Sequence, residues 1–210
     1  MKDKILITGG TGRLAAELKK HLSGDYVGSK DFDFTKPITR KQKYNLIVHI
    51  GAYTNVKKAE FKDQKKCFMA NVYGTFNLTQ YYKNTPFIFI STEFAQNPFG
   101  VYALSKKLGE EIVKTHPRHL ILRTLFKPNP FPFPKAYIDQ YTQGDYVDVI
   151  AKLLAKRIKK WNRKTNGFEH LGTGRKTLYE LAKRTRPDVK PNSVKDYMKE
   201  TGLFIATDYE

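Results

Sequence analysis

The chain has almost no cysteine, since Cys67 is the only one among its 210 residues. A lone thiol excludes a framework of intramolecular disulfides, and it excludes a zinc site built from several cysteines. We therefore expect a protein without disulfides and without a metal site.

Long apolar runs are also missing. No apolar stretch reaches the roughly 20 residues that a membrane-spanning helix needs, and the first apolar run already starts at Lys4, too early to follow a signal peptide. No segment of the sequence repeats. On these grounds we expect one soluble, cytoplasmic domain over residues 1–210, with no membrane partner.

Acidic residues are scarce, because 20 Asp and Glu stand against 38 Lys and Arg, which gives a net charge of +18. Such a charge attracts nucleic acids, membrane surfaces or phosphorylated small molecules. The basic residues are spread along the chain rather than gathered in one tail, so we interpret most of them as a solubilising surface. Since no nucleic-acid-binding motif accompanies them, no specific nucleic-acid partner is expected.

What the chain does have is a glycine-rich turn near its amino terminus, between an apolar run at residues 4–8 and a stretch of helical periodicity. Strand, glycine turn and helix are the context of a dinucleotide-binding fingerprint. Gly9 would permit the tight turn, Gly12 would let the backbone approach a pyrophosphate, and Ala15 would let the helix pack on the strand. A plain βα turn gives the same pattern, so its weight depends on the rest of the chain.

The turn after a second short strand, at residues 25–27, bears on the choice of cofactor. In folds of this kind an acidic residue at that place binds the ribose 2′-hydroxyl of NAD. The chain has Ser29 and Lys30 instead, a hydrogen-bond donor and a cation that suit the 2′-phosphate of NADPH. We therefore expect NADPH rather than NADH, with an ordinary polar turn as the alternative.

Further apolar runs of strand length occur at residues 45–50, 87–91, 120–123 and 168–171, and they alternate with stretches of helical periodicity. This alternation predicts an α/β fold with a doubly wound parallel sheet of the Rossmann type. His49 lies inside one of the runs and is predicted to be a packed core residue.

Helices are predicted at about residues 63–82, 102–115 and 145–161. In the first of them, the residues expected to face the core are Phe68, Met69, Val72, Phe76 and Leu78.

Proline at every second position excludes residues 127–135 from a central strand. We expect an irregular loop over the ligand-binding edge of the sheet. Residues 127–145 and 172–210 would together form a small, reduced substrate lobe, which ends in a polar tail of uncertain order after Pro187.

The most informative constellation is Tyr102 and Lys106, which are four residues apart and hence share one face of the predicted helix. A tyrosine with a pKa of about 10 is a poor proton donor and acceptor near neutral pH. An ammonium about 4 Å away would favour the phenolate by at most roughly 4 kcal/mol, or about three pKa units. Thr92, at the end of the preceding strand, adds a hydroxyl that can polarise a carbonyl. We interpret these three residues as catalytic.

Several stretches support this interpretation. They are Thr-Gly-Gly-Thr-Gly-Arg-Leu (8–14), Gly-Ala-Tyr-Thr-Asn-Val-Lys-Lys-Ala-Glu (51–60), Asn-Val-Tyr-Gly-Thr-Phe-Asn-Leu (71–78), Ile-Ser-Thr-Glu (90–93), Tyr-x-x-x-Lys (102–106) and Arg-Thr-Leu-Phe (123–126). With them the sequence resembles the extended short-chain dehydrogenase/reductase superfamily and, within it, the dTDP-4-dehydrorhamnose reductase family. The resemblance covers residues 4–126 and, more thinly, residues 146–182.

The resemblance implies an NADPH-dependent reductase that moves hydride to C4 of a nucleotide-linked 4-keto-6-deoxy sugar. It implies that Tyr102 is the proton donor, Lys106 its partner and a ribose ligand, and Thr92 the hydrogen-bond donor to the carbonyl. The expected cofactor contacts are Gly9, Thr11, Gly12, Arg13, Leu14, Asp33, Phe34, Ala52, Tyr53 and Asn71, to which Ser29, Lys30 and Ser91 are added. Val56, Glu93 and Phe126 are expected near the sugar. The partner is then a nucleotide-sugar substrate, and a homodimer is compatible with the sequence.

The chain departs from the family at several points. Glu93-Phe94 stands where the family has Asp-Tyr, Phe126 stands for a tryptophan, and only nine residues separate Thr92 from Tyr102. Two alternatives therefore stay open beside a nucleic-acid-binding protein: a catalytically silent NAD(P)-binding regulatory subunit, and an epimerase or dehydratase of the same superfamily. Epimerisation is disfavoured because Cys67 lies too early in the chain to match the catalytic cysteine of the related epimerases.

Overall fold

The computed structural model describes residues 3–203. The remaining residues, 1, 2 and 204–210, include the ends of the predicted domain and of the predicted lobe, which lie outside the described residues. In chain order the elements are β1 (Ile5–Thr8), α1 (Arg13–Leu18), β2 (Asp25–Val27), β3 (Leu46–His49), α2 (Val56–Phe61), α3 (Gln64–Phe68), a π-helical segment (Met69–Tyr73), α4 (Gly74–Tyr81), β4 (Phe87–Thr92), a 3-10 turn (Glu93–Ala95), α5 (Gly100–Lys114), β5 (His119–Thr124), β6 (Phe126–Lys127), β7 (Lys135–Tyr137), β8 (Tyr141–Thr142), β9 (Asp145–Tyr146), α6 (Val147–Lys160), β10 (Gly167–His170), β11 (Lys176–Thr177), α7 (Leu178–Lys183), β12 (Lys190–Asn192) and α8 (Val194–Thr201).

Six parallel strands form the central sheet, in the order β2-β1-β3-β4-β5-β10, and the predicted Rossmann-type α/β fold is confirmed. The chain leaves β1 on one side to form β2 and returns on the other side to form β3, so the strand order reverses between β1 and β3. Open parallel sheets bind ligands at the carboxyl ends of their strands, next to such a reversal. In this chain that place lies between the ends of β1 and β3, at Gly9 and Gly51.

Helices cover both faces of this sheet, which explains why the central strands are continuous apolar runs. On one face, α1 and α6 pack together, and their apolar side chains join the strands in one core cluster. On the other face, Leu78 of α4 and Val113 of α5 pack on Phe87 and Phe89 of β4. The two layers fix the helix that carries the Tyr-x-x-x-Lys pair against the sheet.

The prediction that His49 is a core residue is confirmed. Its ring is buried, with Nδ1 2.6 Å from the hydroxyl of Thr8 and Nε2 3.2 Å from the hydroxyl of Thr75. Burial lowers the pKa of His49 well below its usual value, so the ring is neutral and its two nitrogens are satisfied by hydroxyls.

A smaller group of elements lies beyond the carboxyl edge of the sheet. Short strands pair as β6 with β9, β7 with β12 and β8 with β11. They enclose their own apolar cluster, which consists of Leu125, Phe131, Ala136, Tyr146, Leu178, Leu181, Ala182 and Val189. Thr177 and Glu180 close the start of α7 as a capping box. These elements lie beside the carboxyl edge of the sheet, and we call them the small lobe.

The prediction of one regular helix over residues 63–82 is wrong in part. The helix is interrupted by the π-helical segment, and a separate helix, α2, precedes it. Of the five residues expected in the core, only Leu78 is buried, while Met69 and Phe76 are exposed. A π-helical turn inserts one extra residue into the hydrogen-bond ladder, which shifts the buried face relative to a 3.6-residue period.

Two predictions for the carboxyl-terminal part also change. In the tail of uncertain order expected after Pro187, Lys190–Asn192 form β12 and Val194–Thr201 form α8. The proline-rich stretch at residues 127–135 is irregular between its ends, as predicted, but Phe131 is buried in the small apolar cluster. β12 was not predicted because a polar, proline-containing stretch gives no sequence signal of the strand with which it pairs. In the structure that strand is β7.

Between residues 3 and 203, no helix is both long and apolar enough to cross a membrane. The same part of the chain holds no cluster of three or more acidic, histidine or cysteine side chains arranged to bind a metal ion.

Candidate active site

The glycine turn after β1 depends on two close approaches of backbone to backbone. Gly9 has a φ of +72°, and a Cβ on it would lie 2.7 Å from the backbone of Gly51. A Cβ on Gly10 would lie 2.7 Å from the backbone of Val27 in β2. Sequence reasoning found Gly9 but gave no role to Gly10, whose requirement comes from the neighbouring strand. Gly12 donates its amide to the Gly9 carbonyl at 2.9 Å and closes the turn.

The residues that follow divide between core and surface. Leu14 and Ala15 lie on the buried face of α1, whereas Thr11 and Arg13 are exposed. The methyl group of Thr11 lies so close to Gly28 that a Cβ there would meet it at 2.7 Å. This contact brings the turn after β2 beside the glycine turn.

Ser29 and Lys30 lie in that turn, and both are exposed. The register of β1 and β2 pairs Thr8 with Val27, so the two turns leave the same edge of the sheet. Arg13, Ser29 and Lys30 are thus exposed residues of two neighbouring turns, which we call the rim of the glycine turn.

Asp33 and Phe34 come next along this rim. Asp33 accepts hydrogen bonds from the backbone amide and the hydroxyl of Thr35, at 3.0 and 2.6 Å, and the hydroxyl bond is the main cause that lowers the pKa of Asp33. The ring of Phe34 packs inward, edge-on to His49 at 5.0 Å and against Gly51. The Phe34 side chain therefore packs beneath the turn that follows β3.

Asn71 ties the loop after β3 to the helix that carries Tyr102. Its Oδ1 accepts the backbone amide of Tyr53 at 2.8 Å, and its Nδ2 donates to the Tyr53 carbonyl at 3.1 Å and to Ser105 Oγ at 2.9 Å. Asn71 lies in the π-helical segment and is buried. Its amide is therefore occupied within the chain and holds Ala52 and Tyr53 in place.

Thr92 and Tyr102 are brought together at the carboxyl edge of the sheet. Thr92 ends β4 and Tyr102 lies in the first turn of α5, and the Thr92 side chain is near enough to influence the pKa of Tyr102. The Tyr102 residue is only partly buried, yet burial of its hydroxyl raises the pKa of Tyr102 to about 12, and the Thr92 side chain opposes that rise. The sequence predicted a shift in the other direction.

The pKa of Tyr102 differs from the prediction because of the position of the Lys106 ammonium. Lys106 is 2% exposed, and its Nζ donates to the backbone carbonyl of Ile90 at 2.8 Å while lying 4.0 Å from the ring centre of Phe89. Burial lowers the pKa of Lys106 to about 7, against the opposing effects of Glu110 and Cys67. The lysine thus lies behind Thr92 and Tyr102, held by a strand carbonyl.

The other residues predicted from the sequence lie at or near the sheet edge, and two of them, Ser91 and Glu93, form hydrogen bonds within the chain. Ser91 is buried and donates its hydroxyl to Glu110 at 2.6 Å. Glu93 is 1% exposed and accepts hydrogen bonds from the Thr142 hydroxyl at 2.6 Å and the Gln143 amide at 3.0 Å. Val56 begins α2 and Phe126 lies in β6, both half-buried. A sugar contact through the Glu93 carboxylate stays a prediction, since its bonds connect the sheet edge to the small lobe.

Two groups near the site were not found from the sequence. Cys67 is buried with its Sγ 3.2 Å from Ser105 Oγ, and burial raises the pKa of its thiol. Lys127 faces Glu93, and burial lowers the pKa of Lys127 while the carboxylate opposes that change. Cys67 influences the pKa of Tyr102, and Glu93 influences that of Lys127, so the packing of α3 brings Cys67 toward Tyr102 and β6 brings Lys127 toward Glu93.

The chain has a parallel sheet with a glycine turn at its reversal point, and a Thr, a Tyr and a Lys at the end of β4 and in α5. This arrangement fits the extended short-chain dehydrogenase/reductase class that its sequence resembles. Within that class, the family model of the RmlD substrate binding domain matches residues 3–129. The chain belongs to this family, and the resemblance drawn from its sequence is confirmed. No curated protein matches the chain.

Solved structures share the fold over nearly the whole chain. A dTDP-4-dehydrorhamnose reductase from Clostridium acetobutylicum is 24% identical, with a TM-score of 0.78 over 92% of this chain and 85% of its own. The enzyme of that name from Bacillus anthracis, in complex with NADP, is 21% identical, with a TM-score of 0.77 over 100% and 95% of the two chains. A hypothetical dTDP-4-dehydrorhamnose reductase from Sulfolobus tokodaii is 21% identical, with a TM-score of 0.81 over 98% and 90%.

Proposed function

We propose that this protein is an NADPH-dependent reductase of a nucleotide-linked 4-keto-6-deoxy sugar. The observation that carries the proposal is the placement of Thr92 at the carboxyl end of β4 and of Tyr102 in the first turn of α5, with Lys106 buried and held by the Ile90 carbonyl. Two hydroxyl donors at one point are what a ketone needs as hydride reaches its carbon, because negative charge then develops on the oxygen. Family membership supports the substrate class.

A nicotinamide cofactor, when bound, supplies the hydride. The donors around its expected site fit a dinucleotide phosphate, because Thr11, Arg13, Ser29 and Lys30 are exposed on one rim and bring hydroxyls and cations. In the reaction, Thr92 donates a hydrogen bond to the ketone oxygen. Tyr102 then delivers the proton, since a pKa of about 12 keeps its hydroxyl protonated throughout the neutral range.

Lys106 assists this proton transfer from its buried position. Its ammonium is held by the Ile90 carbonyl, and it can compensate the phenolate that Tyr102 becomes after giving up the proton. The buried position makes this compensation stronger than it would be in water, because the effective dielectric is lower there. Lys106 is also the cation proposed to hold the ribose.

We expect NADPH to bind about tenfold tighter than NADH or more. The reason is that one hydrogen bond or ion pair from Lys30 or Ser29 to the 2′-phosphate, at about 1.5 kcal/mol, corresponds to a factor of ten. Replacement of Lys30 by Asp should narrow or reverse the preference, because the new carboxylate repels the phosphate and accepts the 2′-hydroxyl. Fluorescence titration of both cofactors measures this.

The matched control for that experiment is Lys152→Asp, which makes the same charge change at an exposed position of α6. It should leave the ratio of the two affinities as in the parent. NADH binding as tight as NADPH binding in the parent protein would overturn the assignment of this rim.

The reductase itself is tested by NADPH oxidation against a panel of nucleotide-linked 4-keto sugars. A simple reductase should reduce a member of the panel without exchanging the protons on the carbons that flank the ketone. Among the described residues around Thr92, Tyr102 is the titratable group suited to such exchange, and Glu93, the possible second one, accepts hydrogen bonds from Thr142 and Gln143. The reaction in deuterated water should then leave those carbons unlabelled. Deuterium there beyond the rate without enzyme would favour the epimerase, and cofactor binding without reduction of any panel member would favour a regulatory subunit.

A further inference from the structure

A buried ion pair lies directly beneath the candidate site. Glu110 of α5 is 0% exposed and Arg123 of β5 is 6% exposed. Arg123 donates from Nε to Glu110 Oε1 at 2.8 Å and from Nη2 to Oε2 at 2.7 Å. This two-point geometry is the strong, orienting form of an arginine–carboxylate pair.

Further bonds connect the pair to the strand that ends in Thr92. Ser91, the residue before Thr92, donates its hydroxyl to Glu110 Oε1 at 2.6 Å. In the sheet, Ser91 lies opposite Arg123 and Thr92 opposite Thr124. Arg123 also donates to Gln96 Oε1 at 3.2 Å, just after the 3-10 turn. One carboxylate therefore joins α5, β4 and β5 at the level of the site.

Glu110 is also one helical turn after Lys106, on the same buried face of α5. The groups that interact electrostatically with Lys106 are Glu110 on its own helix, Cys67 of α3 and His49 of β3, while Tyr102 lies one turn before it. His49 is neutral, and burial raises the pKa of Cys67. Glu110 is therefore the acidic side chain that faces Lys106, and Arg123 contacts this group through Glu110.

We propose that Glu110 is a positioning residue of the active site: it fixes Thr92 against the Tyr102 helix and supplies the negative charge that keeps the buried Lys106 an ammonium. The second part rests on the proposed function only through the role of Lys106, because its charge can be measured without any substrate. The opposing effect of Glu110 on the pKa of Lys106 supports the same assignment.

The test is Glu110→Gln, with the titration of Lys106 followed by NMR of isotope-labelled lysine side chains. The Lys106 signal is identified by its loss in Lys106→Met. Without the carboxylate, the midpoint of the titration should fall by about one pH unit or more, so the fraction of ammonium at pH 7 should drop from about a half to about a tenth. Because Lys106 is proposed to hold the cofactor ribose as an ammonium, NADPH affinity should weaken as the pH rises through this midpoint. In Glu110→Gln that weakening should begin at a pH lower by the same amount.

The matched control is Glu111→Gln, which removes one carboxylate from the next residue of the same helix. Glu111 is half-exposed and pairs with Lys107 and Lys114 at the surface, so its loss should leave the Lys106 titration unchanged. An unchanged Lys106 titration in Glu110→Gln as well would overturn the proposal, even if the protein proves to be a reductase.

Glu110→Gln leaves Arg123 without its buried partner and can prevent folding. In that case the double variant Glu110→Gln/Arg123→Gln replaces the ion pair by two neutral amides of similar size. Lys106 should again titrate below the parent value, and a titration at or above the parent value would overturn the proposal. If the parent protein reduces no substrate, the proposed function fails while the NMR result still decides this inference.

Discussion

Replacement of Tyr102 by phenylalanine is expected to lower the rate of ketone reduction about a hundredfold or more, with NADPH affinity nearly unchanged. The substitution removes one hydroxyl and keeps the ring, so the packing of α5 on the sheet is retained. It removes the proton that the developing alkoxide takes up, and general acid catalysis by a placed side chain contributes about 10²–10⁴ in rate. The measurement is single-turnover reduction with saturating NADPH, together with a cofactor titration.

Tyr82→Phe is the matched control, because it makes the same change at a tyrosine remote from the sheet edge. The Tyr82 hydroxyl is buried, and within residues 3–203 it has no hydrogen-bond partner. Burial raises the pKa of Tyr82 to about 12, as it does for Tyr102. The control should turn over like the parent. If Tyr102→Phe did so too, the proton would come from another group.

The parts of the fold that the sequence predicts well are those that local pattern determines. The strands β1, β3, β4 and β5 coincide with near-continuous apolar runs, because strands covered on both faces have no polar side to interrupt the run. The π-helical segment has no such signal. Its extra residue at Met69–Tyr73 alters hydrogen bonding rather than composition, so Met69 and Phe76 were predicted inside and are exposed.

The candidate site shows the same division. Thr92 and Tyr102 could be placed together from the sequence, because parallel strands end at one edge of the sheet and α5 starts there. The pKa of Tyr102 could not be predicted, since its direction depends on burial and on the Ile90 carbonyl that holds Lys106. The link between Glu110 and Arg123 was equally hidden, because neither a motif nor a spacing relates the two residues.

Replacement of Gly9 by alanine is expected to destabilise the protein by about 2–5 kcal/mol and to weaken NADPH binding tenfold or more. Two effects add. An alanine at the φ of +72° that Gly9 adopts costs about 1–2 kcal/mol, and its Cβ would lie 2.7 Å from the backbone of Gly51. Backbone cannot rotate away as a side chain can, so overpacking adds about 1–3 kcal/mol. Urea unfolding and a cofactor titration measure the two losses.

Gly202→Ala separates the two effects. Gly202 has a φ of +68°, close to that of Gly9, but in the part of the chain that the structure describes no atom lies within 4 Å of a Cβ placed on it. It should therefore lose only the conformational share, about 1–2 kcal/mol, and bind NADPH like the parent. Equal losses in the two variants would mean that the turns after β1 and β3 are not in contact.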